Sequence, residues 1–138
     1  MRRTLAVIAL VAVAGVVAAG CGGGEPTADL TGTGELQLLY VPEPGVKARA
    51  ATLTCPATEQ DAQAACEQLE SLEDPFAPVP RDALCTKVFG GPEQITAYGT
   101  WEGQAVNTKF VRTNGCEIDR YAAVAPVLLP LLGGPGGG

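Results

Sequence analysis

The residue types that could do chemistry are concentrated in one short segment, residues 85–92 (CTKVFGGP). A cysteine holds one end, and Lys87 follows two positions later beside the apolar pair Val88 and Phe89. Gly-Gly-Pro then turns the chain. This pattern predicts an extended loop that displays a lysine. The simpler interpretation is a cysteine-anchored surface loop whose lysine is only solvated, as most charged loop residues are.

The chain has no histidine among its 138 residues. Within this sequence, that excludes Ser-His-Asp and Cys-His catalysis and metal sites built on histidine pairs. No pair of carboxylates stands out as an acid and a base either. We therefore expect a protein that is not an enzyme and that needs no cofactor and no metal.

The amino-terminal residues predict export. Arg2 and Arg3 precede an apolar run at residues 5–19, so residues 1–20 are typical of a signal peptide and too short for a spanning helix. The small residues before Cys21 resemble a bacterial lipobox, in which the cysteine is lipidated and becomes the first mature residue. Ordinary cleavage after Ala19 is the alternative. Lipidation is favoured because it leaves an even number of cysteines in an oxidising compartment.

Removal of the leader would leave 7 basic and 15 acidic residues, a net charge of −8. So acidic a surface argues against nucleic acid and anionic lipid as partners. The expected location is therefore extracellular or the outer face of the cell membrane, with contact to the membrane only through a lipid on Cys21.

The rest of the chain predicts one small α+β domain. Residues 21–34 are expected to form a flexible Gly-rich tether, residues 35–128 the domain, and residues 129–138 a disordered apolar and Gly-rich tail. Alternating apolar residues predict antiparallel strands at 36–41, 46–55, 94–101 and 104–113, with Lys109 and Arg112 as exposed strand residues. Apolar residues at helical spacing predict a helix that starts at the cap residue Thr58 and buries Cys66. The first half of the apolar stretch 124–132, which Pro126 and Pro130 interrupt, is expected to be an edge strand or a packed extension.

Four cysteines belong to this domain: Cys55, Cys66, Cys85 and Cys116. None forms a CxxC pair, which argues against a zinc or thioredoxin-like site. Three disulfide connectivities are possible, of which sequential pairing is the simplest.

Five segments now resemble the Streptomyces subtilisin inhibitor family of secreted serine-protease inhibitors, in the family's order and over about residues 36–127. They are residues 51–55 (ATLTC), 65–66 (AC), 83–89 (ALCTKVF), 101–103 (WEG) and 114–118 (NGCEI). The resemblance implies sequential pairing of the four cysteines. It also implies a five-stranded antiparallel sheet, one main helix, a short second helix at residues 117–121, and a homodimer formed through the sheet.

The resemblance further implies a reactive bond between Lys87 and Val88, two residues after the third cysteine. Cys85 and Thr86 would contact the protease before the bond, and Phe89 and Gly90 after it. A lysine at the primary position favours trypsin-like enzymes, with subtilisin-like enzymes as further targets. Gly90-Gly91-Pro92 has one residue more than the family's usual Asp-Pro, which would loosen this side of the loop. The alternative function is therefore a surface lipoprotein that keeps the fold as a binding or structural module without inhibiting.

Overall fold

Four antiparallel strands form one sheet in the computed structural model, which describes residues 28–135. The predicted signal peptide, Cys21 and the first part of the tether lie outside these residues. The order across the sheet is β2-β1-β3-β4. The strands are β1 (Gly34–Val41), β2 (Arg49–Cys55), β3 (Gln94–Trp101) and β4 (Gln104–Phe110).

The alternation of side chains in β1 sets the two faces of the sheet. Leu36, Leu38 and Tyr40 are buried on one side, and the residues between them point to the other. β1 pairs with both β2 and β3, so its apolar side chains lie in the middle of the core. The outer face stays more open.

The β3–β4 hairpin turns at Glu102 and Gly103, which both have positive φ angles, 49° and 77°. Such a two-residue turn matches the twist of the strands. The Glu102 carboxylate accepts a hydrogen bond from Gly32 N at 2.7 Å, and the Glu102 amide donates to Thr33 O at 2.7 Å. Residues 32 and 33, which we expected in a free tether, are therefore attached to the hairpin.

Two helices cover the buried face of the sheet: α1 (Gln60–Ser71) and α2 (Gly115–Leu128). α1 buries Cys66 as expected, together with Ala65 and Leu69. The predicted start at Thr58 is wrong. The helix begins after Glu59, whose side chain makes no capping hydrogen bond.

The carboxyl-terminal part of the chain corrects three expectations. α2 has 14 residues and extends well past the expected short helix at 117–121. The first half of the stretch 124–132 is packed as the end of this helix and not as an edge strand, and a 3₁₀ turn, Pro130–Leu132, follows. The described residues therefore form four strands, and the expected fifth is not confirmed. Nor are residues 129–132 a disordered tail, because Leu129 and Leu132 are buried.

The physical reason is the spacing of the apolar residues in this stretch. Tyr121, Val124, Ala125 and Leu128 recur at helical intervals and are all buried. Pro126 falls on the exposed side of α2, where it removes one backbone hydrogen bond. Burial of the apolar side outweighs that loss, since most helical stability in proteins comes from packing.

No helix within residues 28–135 has the length and the hydropathy that crossing a bilayer requires.

Candidate functional site

The segment that carries Lys87 is an exposed loop between α1 and β3. Residues 82–93 contain no helix or strand. Lys87 and Thr86 are exposed, Val88 and Phe89 are 51% and 70% exposed, and Leu84 is fully exposed. Three large apolar side chains in water beside a lysine are unusual for a loop with no partner.

Two bonds attach the first half of this loop to the start of α2. The Cys85–Cys116 disulfide brings the two Cα atoms to 5.3 Å. Between the direct neighbours of these cysteines, Gly115 N donates a hydrogen bond to Thr86 O at 3.0 Å. The residue that precedes Lys87 is thus held by its own carbonyl group and by its neighbour's side chain.

The first turn of α2 is itself well defined. Asn114 is the N-cap, and its side-chain oxygen accepts a hydrogen bond from Glu117 N at 3.0 Å. A side chain at Gly115 would overlap the Thr86 hydroxyl, so the close approach of loop and helix depends on glycine here. The sequence NGC therefore supplies a cap, a close contact and a disulfide in three consecutive residues.

A separate bond holds the second half of the loop. Gly90 N donates to Arg112 O at 2.7 Å, just beyond the end of β4. A Cβ atom at Gly90 would lie 2.9 Å from the Ile118 side chain, which is too close for a real contact. Gly90 is therefore packed against α2, although the sequence suggested a looser turn.

The Arg112 side chain continues this attachment into the loop. Arg112 Nη1 lies 3.0 Å from both carboxylate oxygens of Glu93, and the guanidinium group lies 5.6 Å from the ring centre of Tyr121. Burial raises the pKa of the Tyr121 phenol to about 12, and the nearby Tyr40 and Glu93 add to the rise, while Arg112 opposes it. Tyr121 is thus a neutral, packed support under the cation.

Lys87, Val88 and Phe89 lie between these two attachments. Among the described residues, none of the three takes part in a hydrogen bond or an ion pair. The loop is fixed at Thr86 and at Gly90 and is free to make contacts in between. Such an arrangement leaves Lys87 and Val88 exposed between two points of attachment.

The second disulfide, Cys55–Cys66, joins the end of β2 to the middle of α1, with Cα atoms 5.7 Å apart. It belongs to the core and not to the loop. Both disulfides have the pairing that the resemblance implies. Within residues 28–135, no group of three or more potential ligands is arranged to hold a metal ion.

The structure brings together the loop residues singled out from the sequence and adds four others: Leu84, Glu93, Arg112 and Gly115. Leu84 carried a signal as a large apolar residue beside a cysteine in a loop, and Gly115 carried one as part of the segment NGCEI. Arg112 was expected to be an exposed strand residue. It lies after β4, its side chain is only 29% exposed, and its role depends on contacts that no local pattern shows.

The sequence of this chain matches a family of known proteins. The family model for subtilisin inhibitor-like proteins covers residues 36–114. The chain is 38% identical over 77 residues to "Transglutaminase-activating metalloprotease inhibitor" of Streptomyces mobaraensis, covering 51% of each chain. It is also 38% identical over 77 residues to "Subtilisin inhibitor-like protein 4" of Streptomyces lavendulae, covering 51% of this chain and 66% of the relative.

A third relative, "Subtilisin inhibitor-like protein 5" of Streptomyces fradiae, is 34% identical over 80 residues, covering 54% of this chain and 74% of its own. The chain thus spans about half the length of the first of these relatives and about two thirds of the second.

Proposed function

We propose that this chain, which belongs to the subtilisin inhibitor-like family, is an exported inhibitor of serine proteases that acts by substrate mimicry at the Lys87–Val88 bond. The named relatives are protease inhibitors and not enzymes. The observation that carries the proposal is the exposure of Lys87 and Val88 between two fixed points, Thr86 and Gly90.

A loop of this kind suits the way in which proteases bind substrates. The chain is already held on both sides of the bond, so little conformational entropy is lost when it docks. The free energy of the contacts made by the exposed side chains then contributes to affinity, because little of it is needed to order the loop. Lys87 would enter the primary pocket, with Cys85 and Thr86 before it and Val88, Phe89 and Gly90 after it.

The same attachments explain how cleavage would be resisted. If a protease cuts Lys87–Val88, Cys85–Cys116 and the Thr86–Gly115 hydrogen bond keep the new acyl end in place. The Gly90–Arg112 bond keeps the new amine nearby. Well-oriented groups react at effective concentrations of about 10⁵ M or more, so religation can outrun hydrolysis.

The chemistry of the loop favours certain targets. Lys87 fits a pocket with a carboxylate at its base, which predicts trypsin-like enzymes, and subtilisin-like enzymes are the second class. Leu84 and Phe89 are exposed apolar side chains on either side of the bond and would fill apolar subsites. One relative is named as a metalloprotease inhibitor, so a metalloprotease belongs in the assay panel.

The proposal includes two features of the whole protein. Lipidation at Cys21 would hold the inhibitor on the outer face of the membrane. The outer face of the sheet would form a homodimer, since Tyr98 lies there between Gln37 and Asn107 of the neighbouring strands and is 51% exposed.

The test is a titration of the exported protein against trypsin and subtilisin, with mass spectrometry of the loop. We expect stoichiometric inhibition by the wild type and slow cleavage only at Lys87–Val88. Lys87→Ala should weaken trypsin inhibition by about 30-fold or more, as loss of a central contact residue does. Lys47→Ala, an exposed lysine in the β1–β2 connection, is the matched control and should leave inhibition unchanged.

Two results would contradict the proposal. Rapid cleavage at Lys87–Val88 without inhibition would favour the alternative, a surface lipoprotein that keeps the fold as a binding or structural module. If Lys87→Ala inhibits trypsin as strongly as the wild type does, the reactive bond must lie elsewhere.

A further inference from the structure

The loop segment that follows Val88 is held by a pair of charged residues that lie outside the sequence motif. We infer that Arg112 and Glu93 act together as positioning residues, which hold the Val88 side of the cleaved loop so that religation outruns hydrolysis. The inference rests on the proposed function, because these two residues would determine whether the protein inhibits a protease or is cut by it as an ordinary substrate.

The contacts of Arg112 place it at the centre of this side of the loop. Its carbonyl oxygen accepts the hydrogen bond from Gly90 N at 2.7 Å, and its Nη1 lies 3.0 Å from both carboxylate oxygens of Glu93. Its guanidinium group also lies over the Tyr121 ring, at 5.6 Å from the centroid. Arg112 therefore binds the loop at Gly90 and again at Glu93, three residues later, and is itself supported by α2.

Gly90 and Gly91 lie directly against the Arg112–Glu93 ion pair. A Cβ atom at Gly90 would lie 3.1 Å from Arg112 Nε, and one at Gly91 would lie 3.0 Å from Arg112 Nη1 and would overlap the Glu93 carboxylate. Gly91 also has a φ of 138°, which side-chain-bearing residues rarely adopt. The Gly-Gly sequence therefore lets the backbone pass directly against the ion pair, and the extra residue in the loop is packed.

The reaction step shows why this matters. In the acyl-enzyme, the protease serine oxygen forms an ester with the Lys87 carbonyl carbon, and Val88 carries a free amine. Religation forms the Lys87–Val88 amide as the amine attacks, breaks the ester bond, and returns the amine's proton to the serine oxygen. Hydrolysis differs only in that water attacks, so the position of the amine decides the outcome.

Chain length sets how far the amine can move. Gly90 lies two positions after Val88, and a chain of that length spans at most about 7 Å. Without the attachments at Gly90 and Glu93, the next fixed point is the start of β3 at Gln94, six positions after Val88, which allows about 20 Å. An amine with that freedom would leave the ester exposed to water for longer.

The experiment measures the ratio of cleaved to intact protein at equilibrium, approached from both sides with a catalytic amount of trypsin. Arg112→Gln and Glu93→Gln each remove one member of the pair. Arg81→Gln removes an exposed arginine that precedes Lys87 and is the matched control. We also compare low and high salt, about 0.05 M and 0.5 M, because screening weakens partly exposed ion pairs.

We expect both variants to shift the ratio about two- to fivefold toward the cleaved form, since side chains about 30% exposed form an ion pair of modest strength. High salt should shift the wild type in the same direction and the variants little. Religation of purified cleaved protein should slow correspondingly. A merely structural role would lower thermal stability without changing the salt dependence of the ratio.

The outcomes are separable. Stoichiometric inhibition by the wild type, with ratios in both variants equal to that of Arg81→Gln, would overturn the inference and leave the proposed function intact. Complete cleavage of the wild type without resynthesis would overturn both. If Arg112→Gln does not fold, Glu93→Gln carries the test, because it keeps the shape of the side chain and removes only its charge.

Discussion

The backbone amide of Gly115 lies 3.0 Å from the carbonyl oxygen of Thr86 and joins the loop to the first turn of α2. The two residues are also neighbours of the disulfide partners Cys116 and Cys85. A covalent bond and a hydrogen bond thus act side by side on the residues immediately before Lys87. A helix that starts 28 residues after Lys87 therefore helps to set the geometry of this loop.

Gly115→Ala tests this contact. The new methyl group would overlap the Thr86 hydroxyl, so the threonine must turn away and the loop must shift. Because Thr86 is exposed and can rotate, we expect the low end of overpacking costs, about 1 kcal/mol or fivefold in the inhibition constant. Thr86→Ala in the same protein should restore most of the loss, and independent effects of the two changes in a double-mutant cycle would contradict the contact.

Removing each disulfide in turn separates protection of the Lys87–Val88 bond from overall stability, with Cys55–Cys66 as the control. Replacing Cys85 and Cys116 by serine removes a cross-link between residues 31 apart, worth about 3.5–4 kcal/mol by chain entropy. Replacing Cys55 and Cys66 removes one between residues 11 apart, worth about 3 kcal/mol. Both variants should melt earlier, but only the first should be cut faster at Lys87–Val88 at a temperature where both are folded. Equal cleavage rates would show that stability alone protects the bond.

Tyr98 tests the proposed dimer. It lies on the outer face of the sheet, opposite Gln37 on β1 and Asn107 on β4, and half of it is exposed. Tyr98→Arg places a charge in the proposed interface and should convert a dimer to a monomer in analytical ultracentrifugation. Gln68→Arg, on the exposed side of α1, should not. A wild type that sediments as a monomer at high concentration would remove this part of the proposal.

Tyr121 predicts a loss of stability at high pH. Its pKa rises from 10.0 to about 12 in the folded protein, chiefly because the phenol is buried, so folding favours the protonated form. This contribution is complete below pH 10 and is lost as the pH rises through about 12. Phenolate absorbance should show a late titration, at about pH 12, that is missing from Tyr121→Phe. A Tyr121→Phe protein that retains the late titration would contradict the assignment.

We predict that a lipid on Cys21 attaches the protein to the membrane. Cells fed a labelled fatty acid should incorporate it into the wild type and not into Cys21→Ser, and only the wild type should stay with the membrane fraction. Cys116→Ser with Cys85→Ser is a control for cysteine replacement as such and should still be labelled. An unlabelled wild type would favour cleavage after Ala19 and a freely secreted inhibitor.

The sequence was most informative where local patterns and spacing are sufficient. Alternating apolar residues gave β3 its bounds, Gln94–Trp101, and helical spacing put Cys66 on the buried side of α1. Five short segments in a fixed order, among them those around Cys85 and Cys116, were enough to identify the family. These signals are short-range or recur in relatives, so they can be read without knowing which segments meet.

The carboxyl-terminal stretch shows where such patterns fail. Pro126 and Pro130 predicted an interruption, whereas α2 continues to Leu128 and a 3₁₀ turn follows. Local propensity disfavours proline inside a helix, but burial of Val124 and Leu128 against the sheet decides the conformation. A pattern cannot weigh those two effects without the surface that the helix covers.

By itself, the sequence determined the family, the α+β class and the exposed lysine beside a cysteine. The tertiary structure alone decided what holds the far side of that lysine. Gly90, Glu93 and Arg112 are separated by up to 22 positions and carry no motif, and they meet only because β3 and β4 pair and α2 folds back beside them. Ion pairs and backbone hydrogen bonds between distant residues depend on that path of the chain, so their partners become visible only in the folded protein.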